Sequence, residues 1–142
     1  MSLEIPVVLE PGSRLPEYQT SGSAGVDLCI VESVTLRPLE RACVGTGLRM
    51  AIPSGFEGQV RPRSGLAVRY GLSMVNAPGT IDSDYRGEVK LILINLGSDV
   101  VRLSAGERVG QLVICPVARA TFIGCDTLEE TKRGDGGFGS TG

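Results

Sequence analysis

Histidine is absent from this chain, and the absence bears on chemistry before any motif is considered. A catalyst working near neutral pH without an imidazole must take protons with a carboxylate, or with water activated by a metal ion and a carboxylate. No basic stripe runs through the sequence, which argues against a nucleic-acid polymer as partner, and no block of like charge marks an interaction tail. The four cysteines, Cys29, Cys43, Cys115 and Cys125, never approach C-x-x-C spacing. Their mostly apolar surroundings predict buried free thiols in preference to a metal site or a disulfide frame. No apolar run approaches the roughly 20 residues of a membrane span. The opening Met1-Ser-Leu-Glu-Ile-Pro6 has neither the basic start nor the apolar stretch of a secretory signal. A soluble protein in a reducing, cytoplasmic setting is the expectation.

What is present is strand after strand. At 142 residues and a net charge of −2, the chain is one domain able to build its own core. Segments rich in Val, Ile and Leu predict strands at Ile5–Glu10, Gly25–Glu32, Val34–Arg37, Arg41–Ile52, Phe56–Arg61, Leu72–Val75, Val89–Leu96, Val100–Leu103 and Arg108–Phe122, the last broken near Pro116. Turn signals separate them, including Pro53-Ser-Gly55, Pro78-Gly79 and Ser104-Ala-Gly106. Ser64–Tyr70 alone reads as helix, closed by Gly71. Many short strands at regular spacing predict an all-β sandwich, jelly roll or barrel. The run Glu88-Val-Lys-Leu-Ile-Leu-Ile-Asn95 is apolar on both faces after Lys90. Either it is central to a sandwich or a second subunit covers it, and the subunit contact is favoured.

Chemistry-bearing residues fall in five patches. Ser23-Ala-Gly-Val-Asp27-Leu28 places one acid at a strand start. Arg61-Pro-Arg63-Ser64-Gly65-Leu-Ala67 enters the helix; Ser64 can cap it, Gly65 allows close backbone approach, and Arg63 adds a charged donor for an anion. A simple N-cap with surface arginines explains the same residues equally well. Asn76-Ala-Pro-Gly79-Thr80-Ile81-Asp82-Ser-Asp84-Tyr85-Arg-Gly87 sets two carboxylates among turn residues. They suit a metal loop, an acid/base site or ordinary turns. Asn76 offers the donor and acceptor that a pyrimidine edge needs, and Tyr85 a flat surface for a sugar or base. Glu107-Arg-Val-Gly110-Gln111-Leu112 sets an amide inside a strand built for packing.

The fifth patch is the C-terminus, Arg133-Gly-Asp-Gly-Gly-Phe138-Gly139-Ser140-Thr141-Gly142. Half of it is glycine, so ordering it costs much backbone entropy, and it has little apolar surface to offset that cost. A guanidinium, one ring and two hydroxyls suit a polyanion bearing a flat heterocycle. The segment reads as a lid that orders on a nucleotide; a disordered Gly-rich end is the plainer alternative.

Taken in order, the patches Ala24-Gly-Val-Asp-Leu28, Pro62-Arg-Ser-Gly-Leu-Ala67, Asn76 through Gly87, Arg108-Val-Gly-Gln-Leu112 and Arg133 through Gly142 resemble the trimeric dUTP diphosphatase family, the dUTPases. They span nearly the whole chain in that family's order and spacing. Gly110 is a departure, since family members more often carry alanine there. The resemblance implies a β-jelly-roll homotrimer, with a core over residues 1–127 and a Gly-rich arm over 128–142. It implies three sites, each built from the first, second and fourth patches of one subunit, the third patch of a neighbour and the arm of the remaining one. It also implies Mg²⁺ as cofactor, dUTP as substrate, and dUMP and pyrophosphate as products.

By the same resemblance, Asp82 is the general base that directs water at the α-phosphorus. Asp27 and Gln111 hold water or phosphate, with Asp27 reaching Mg²⁺ through water. Arg63, Ser64 and Gly65 cradle the α- and β-phosphates. Arg133 clamps the γ-phosphate beside Gly139, Ser140 and Thr141, and Phe138 covers the uracil. Asn76, with the main chain of Gly79, Thr80 and Ile81, reads the uracil edge, and Tyr85 packs under the deoxyribose. Two rival readings use the same fold. One is a dCTP deaminase with Glu88 as acid/base; the other is a non-catalytic nucleotide-sensing module.

Overall fold

The computed structural model describes residues 2–142. Eleven strands and one short helix make up the described residues: β1 (Val7–Leu9), β2 (Val26–Cys29), β3 (Val34–Leu36), β4 (Arg41–Gly45), β5 (Leu48–Met50), β6 (Phe56–Pro62), α1 (Ser64–Tyr70), β7 (Leu72–Met74), β8 (Gly79–Ile81), β9 (Lys90–Asn95), β10 (Val101–Leu103) and β11 (Arg108–Pro116). They form a four-stranded sheet ordered β2-β11-β6-β8, a three-stranded sheet ordered β4-β9-β7, and two-stranded pairs β1-β5 and β10-β3. All pairings are antiparallel. The expectation of an all-β body with one helix holds.

Alternation along each strand builds the core. In β2, Val26 and Leu28 point inward; in β9, Leu91, Leu93 and Asn95 do. With Ile30, Leu36, Val60, Val89, Val109 and Leu112 they form one apolar cluster. Asn95 is fully buried within it but fully paired. Its amide donates to the carbonyls of Leu36 (3.0 Å) and Asp99 (2.7 Å), and its oxygen accepts from the Gly97 N–H (2.9 Å). The opposite face of β9 carries Ile92 and Ile94, half-buried, with exposed Cys43 across from Ile92 on β4. That face is apolar and uncovered within one chain.

Several sequence expectations need correction. Arg41–Ile52 is two strands, because the chain corners at Thr46-Gly47 with Gly47 at φ +69. The Thr46 hydroxyl donates to the Val89 carbonyl (2.6 Å) and accepts from the Leu48 N–H (3.3 Å), which holds the corner. Gly79–Ile81, which begins at the Pro78-Gly79 turn signal and lies outside every predicted strand, is a strand because it pairs with β6 across Val60, Gln59 and Gly58. The last strand stops at Pro116, and Ala118–Cys125 forms none. The cysteines are free but not buried. Cys43 lies on the outward face of β4, Cys125 lies past the last strand, and Cys29 and Cys115 are half-buried. Gly71 closes the helix as expected, at φ 70 with its N–H on the Ala67 carbonyl.

Candidate active site

Asp27 lies on the outward-facing side of β2, beside β11, where Gln111 is its cross-strand partner. The register of β11 against β2 slips between Arg108 and Gly110. Residues three apart on a regular strand face opposite sides of a sheet; the bulge puts both Arg108 and Gln111 on the Asp27 side. Arg108 Nη1 then lies 3.6 Å from Asp27 Oδ2, while Arg63 Nε lies 3.2 Å from Asp27 Oδ1. Arg63 Nη1 also donates to the Arg108 carbonyl at 3.1 Å. The guanidinium of Arg63 is thus held on two edges, at the point where β6 runs into α1.

Ser64 does not cap the helix. Arg63 occupies the N-cap position with extended backbone (φ −95, ψ 131), and no side chain caps the first turn. A guanidinium only donates and cannot cap, so the first amides of α1 are left without a side-chain partner and the Ser64 hydroxyl is exposed, while the Arg63 side chain turns to Asp27 and the Arg108 carbonyl. Gln111 Nε2 donates to the Pro62 carbonyl at 2.9 Å. Gly25 leaves room for the same amide, since a Cβ there would stand 2.8 Å from Gln111 Oε1. Asp27, Arg63, Ser64, Gly65 and Gln111 line one cavity of about 370 Å³ together with Gln19, Ser23 and Gly25. The first, second and fourth patches therefore meet within a single chain.

The third and fifth patches do not join them. After a cis Ala77–Pro78 peptide, β8 adds to the far side of β6, so Asn76 and Thr80 project from the edge of the sheet. Gly79 is buried, and a Cβ on it would come within 3.2 Å of Asn76 Nδ2. Ile81 packs against the core. Asp82 is exposed and borders a different cavity, with Glu57 and Arg119. Tyr85 closes a turn by donating its N–H to the Asp82 carbonyl (3.1 Å), and its hydroxyl donates to the Glu88 carbonyl (2.8 Å). The C-terminal segment is a run of turns. Arg133 Nε donates to the Gly136 carbonyl at 2.8 Å, Phe138 is fully exposed, and Gly139, Ser140 and Thr141 lie beside it.

Sequence reasoning left Arg108 and Gly25 without roles. Arg108 shows its purpose only through the bulge, and Gly25 only through the approach of Gln111 across the sheet. A neighbouring cavity of about 290 Å³ shares Gln19 and Asp27 with the first cavity and is lined also by Arg14, Cys29 and Arg108. Arg14 Nη2 donates to Cys29 Sγ at 3.1 Å, and that bond raises the guanidinium's pKa. At Gly110, Leu91 fills the space an alanine methyl would take, at 3.2 Å from a built Cβ.

Fold and site together define an all-β protein with an arginine- and amide-lined cavity on its larger sheet, beside the start of its one helix. Comparison with known proteins narrows this class. The dUTPase family model matches residues 12–142. The chain is similar to deoxyuridine 5'-triphosphate nucleotidohydrolases, being 59% identical to that of Anaeromyxobacter sp. over 132 residues (93% of this chain, 90% of the relative). It is 49% identical to that of Fusobacterium nucleatum over 142 residues (99% of this chain, 97% of the relative). Among solved structures it resembles the Staphylococcus bacteriophage 80alpha dUTPase with dUPNHPP, at TM-score 0.92 and 27% identity over 99% of both chains. The chain belongs to the dUTPase family, and its fold is that family's jelly roll.

Proposed function

We propose that this chain hydrolyses dUTP to dUMP and pyrophosphate, in a site pooled from three copies. The single observation that carries the assembly is the separation of its parts. Asp27, Arg63, Ser64, Gly65 and Gln111 form a cradle in one chain, while Asp82, Asn76 and Tyr85 face outward elsewhere on the same chain. A neighbour brings its Asn76–Gly87 hairpin to the cradle, and another copy lays its arm, residues 128–142, across it. Curated relatives named as dUTP nucleotidohydrolases, and a similar fold holding dUPNHPP, support the substrate.

Triphosphate enters between the first turn of α1 and Arg63, which Asp27 and the Arg108 carbonyl hold ready. Asp82 takes a proton from water as the water oxygen bonds to the α-phosphorus; the bond from that phosphorus to the bridging oxygen breaks, and pyrophosphate leaves. A carboxylate is a weak base, which suffices because positioning dominates phosphoryl transfer. Gln111 orients water or phosphate beside Asp27. Arg133 meets the γ-phosphate with Ser140 and Thr141, Gly139 gives the arm its bend, and Phe138 covers the uracil.

Mg²⁺ fits as an ion carried by the substrate. Among the described residues no three Asp, Glu, Cys or His side chains gather into a cage, and both Asp27 oxygens face guanidinium groups. Triphosphate oxygens and water would hold the ion, with Asp27 reaching it through water; its contribution is to neutralise phosphate charge.

Selectivity comes from the hairpin. Asn76, braced against Gly79, and the main chain of Gly79, Thr80 and Ile81 read the uracil edge; cytosine would leave buried groups unpaired. Tyr85 under the sugar leaves no room for a 2′-hydroxyl. Glu88, the acid a deaminase would need, accepts the Gly47 N–H at 3.1 Å and lies against Gly45, so it serves the fold. The test is pyrophosphate release from dUTP, dCTP, dTTP and UTP, each with and without Mg²⁺. Release from dUTP in strong preference is expected; ammonia from dCTP, or no turnover of dUTP, sinks the reading.

A further inference from the structure

The Asp82–Glu88 loop is braced almost wholly by itself. Tyr85 N–H donates to the Asp82 carbonyl at 3.1 Å. Arg86 Nη1 donates to the carbonyls of Ser83 (2.7 Å) and Tyr85 (3.1 Å), and Tyr85 Oη donates to the Glu88 carbonyl at 2.8 Å. The ring of Tyr85 therefore bends back over Gly87. A Cβ built on Gly87 would stand 2.6 Å from Tyr85 Cζ and 2.8 Å from Cε1, and closer still to Oη. All three of its nearest atoms belong to that ring. Gly87 has no positive φ, so what a side chain at 87 would meet is the Tyr85 side chain and not a backbone constraint.

From this contact we propose that Gly87 determines selectivity for deoxyribose over ribose, by setting how deep the Tyr85 ring lies. This rests on the reading that places Tyr85 beneath the sugar. With no side chain at 87, the ring lies against the backbone with its hydroxyl anchored, and Tyr85 as a whole remains 43% exposed. A methyl group at 87 forces the ring off its seat and breaks the bond to the Glu88 carbonyl. Little resists that motion, because the obstructed atoms are the end of a side chain that pivots on two torsions. The cost of Gly87→Ala therefore falls on where the ring sits and hardly on the fold. Gly87 is a positioning residue: it touches Tyr85, and Tyr85 touches the sugar.

The experiment is the ratio of kcat/KM for dUTP over UTP, measured by pyrophosphate release with Mg²⁺. Wild type should show a large ratio, and Gly87→Ala should lower it at least tenfold while still splitting dUTP. In a Tyr85→Ala background, adding Gly87→Ala should change the ratio less than twofold, since the ring it acts through is gone. A purely structural defect would depress both substrates together and leave the ratio standing. A folded Gly87→Ala enzyme with the wild-type ratio overturns the proposal. If that variant fails to fold, Tyr85→Phe, which frees the ring from the Glu88 carbonyl while keeping Gly87, must lower the ratio severalfold; an unchanged ratio overturns the proposal equally. Wild type that does not split dUTP overturns the parent reading and this one with it, whereas wild type that splits dUTP selectively isolates failure to Gly87.

Discussion

Asp27 holds two arginines with one carboxylate, 3.2 Å from Arg63 and 3.6 Å from Arg108. The pairs are partly exposed, so their worth to stability is modest, about 1 kcal/mol or less. Their value lies in fixing the direction of Arg63. Asp27→Asn should leave thermal stability nearly unchanged but weaken dUPNHPP binding about tenfold, equivalent to ~1.4 kcal/mol. Calorimetric titration checks this, and equal affinity in the variant would leave Arg63 with no need of its strap. Asp82 behaves oppositely. Exposed and forming no ion pair among the described residues, it should be dispensable for binding and indispensable for turnover. Asp82→Asn is expected to cut kcat about a thousandfold while dUPNHPP still binds.

Individual elements decide where such residues face. The slip in β11 is the clearest case, because without it Arg108 and Gln111 would point to opposite sides of the sheet. In β9 the equivalent decision is made by Asn95, whose three side-chain hydrogen bonds tie the strand to β3 and to the Leu96–Asp99 turn. Asn95→Leu keeps the branched shape, adds some bulk, and strands two carbonyls and an N–H. We expect a loss of about 2–4 kcal/mol, read from urea unfolding at fixed protein concentration. The C-terminal segment is the converse, an element with nothing of its own to lie on. Removing residues 133–142 should leave the urea midpoint unmoved and slow dUTP hydrolysis at least a hundredfold; unchanged activity would show that the segment takes no part.

At the scale of the whole molecule, the open question is what covers the outward face of the β4-β9-β7 sheet, where Ile92, Ile94 and Cys43 lie together. The proposed trimer would cover it and at the same time complete the cradle. Light scattering should give three times the chain mass of 14.9 kDa. If base and cradle come from different copies, as proposed, two dead variants should rescue each other. Co-refolding Asp82→Asn with Arg63→Ala should regain dUTP hydrolysis that neither shows alone. If the mixture stays inactive while forming mixed trimers, each site is self-contained and the pooled arrangement is wrong.

The sequence alone determined what depends on local chemistry. Alternating Val, Ile and Leu between Gly and Pro can only make short strands, Ser64–Tyr70 with Gly71 can only make a brief helix, and five patches in fixed order carried the family. Tertiary structure decided what depends on register and on neighbours. Thr46 breaks a strand because it finds the Val89 carbonyl, Gly79–Ile81 becomes one because β6 lies alongside, and the Arg63 guanidinium takes its direction from Asp27 and the Arg108 carbonyl. None of those partners is near in sequence, so no local pattern announces them; only the folded chain brings them within hydrogen-bonding distance.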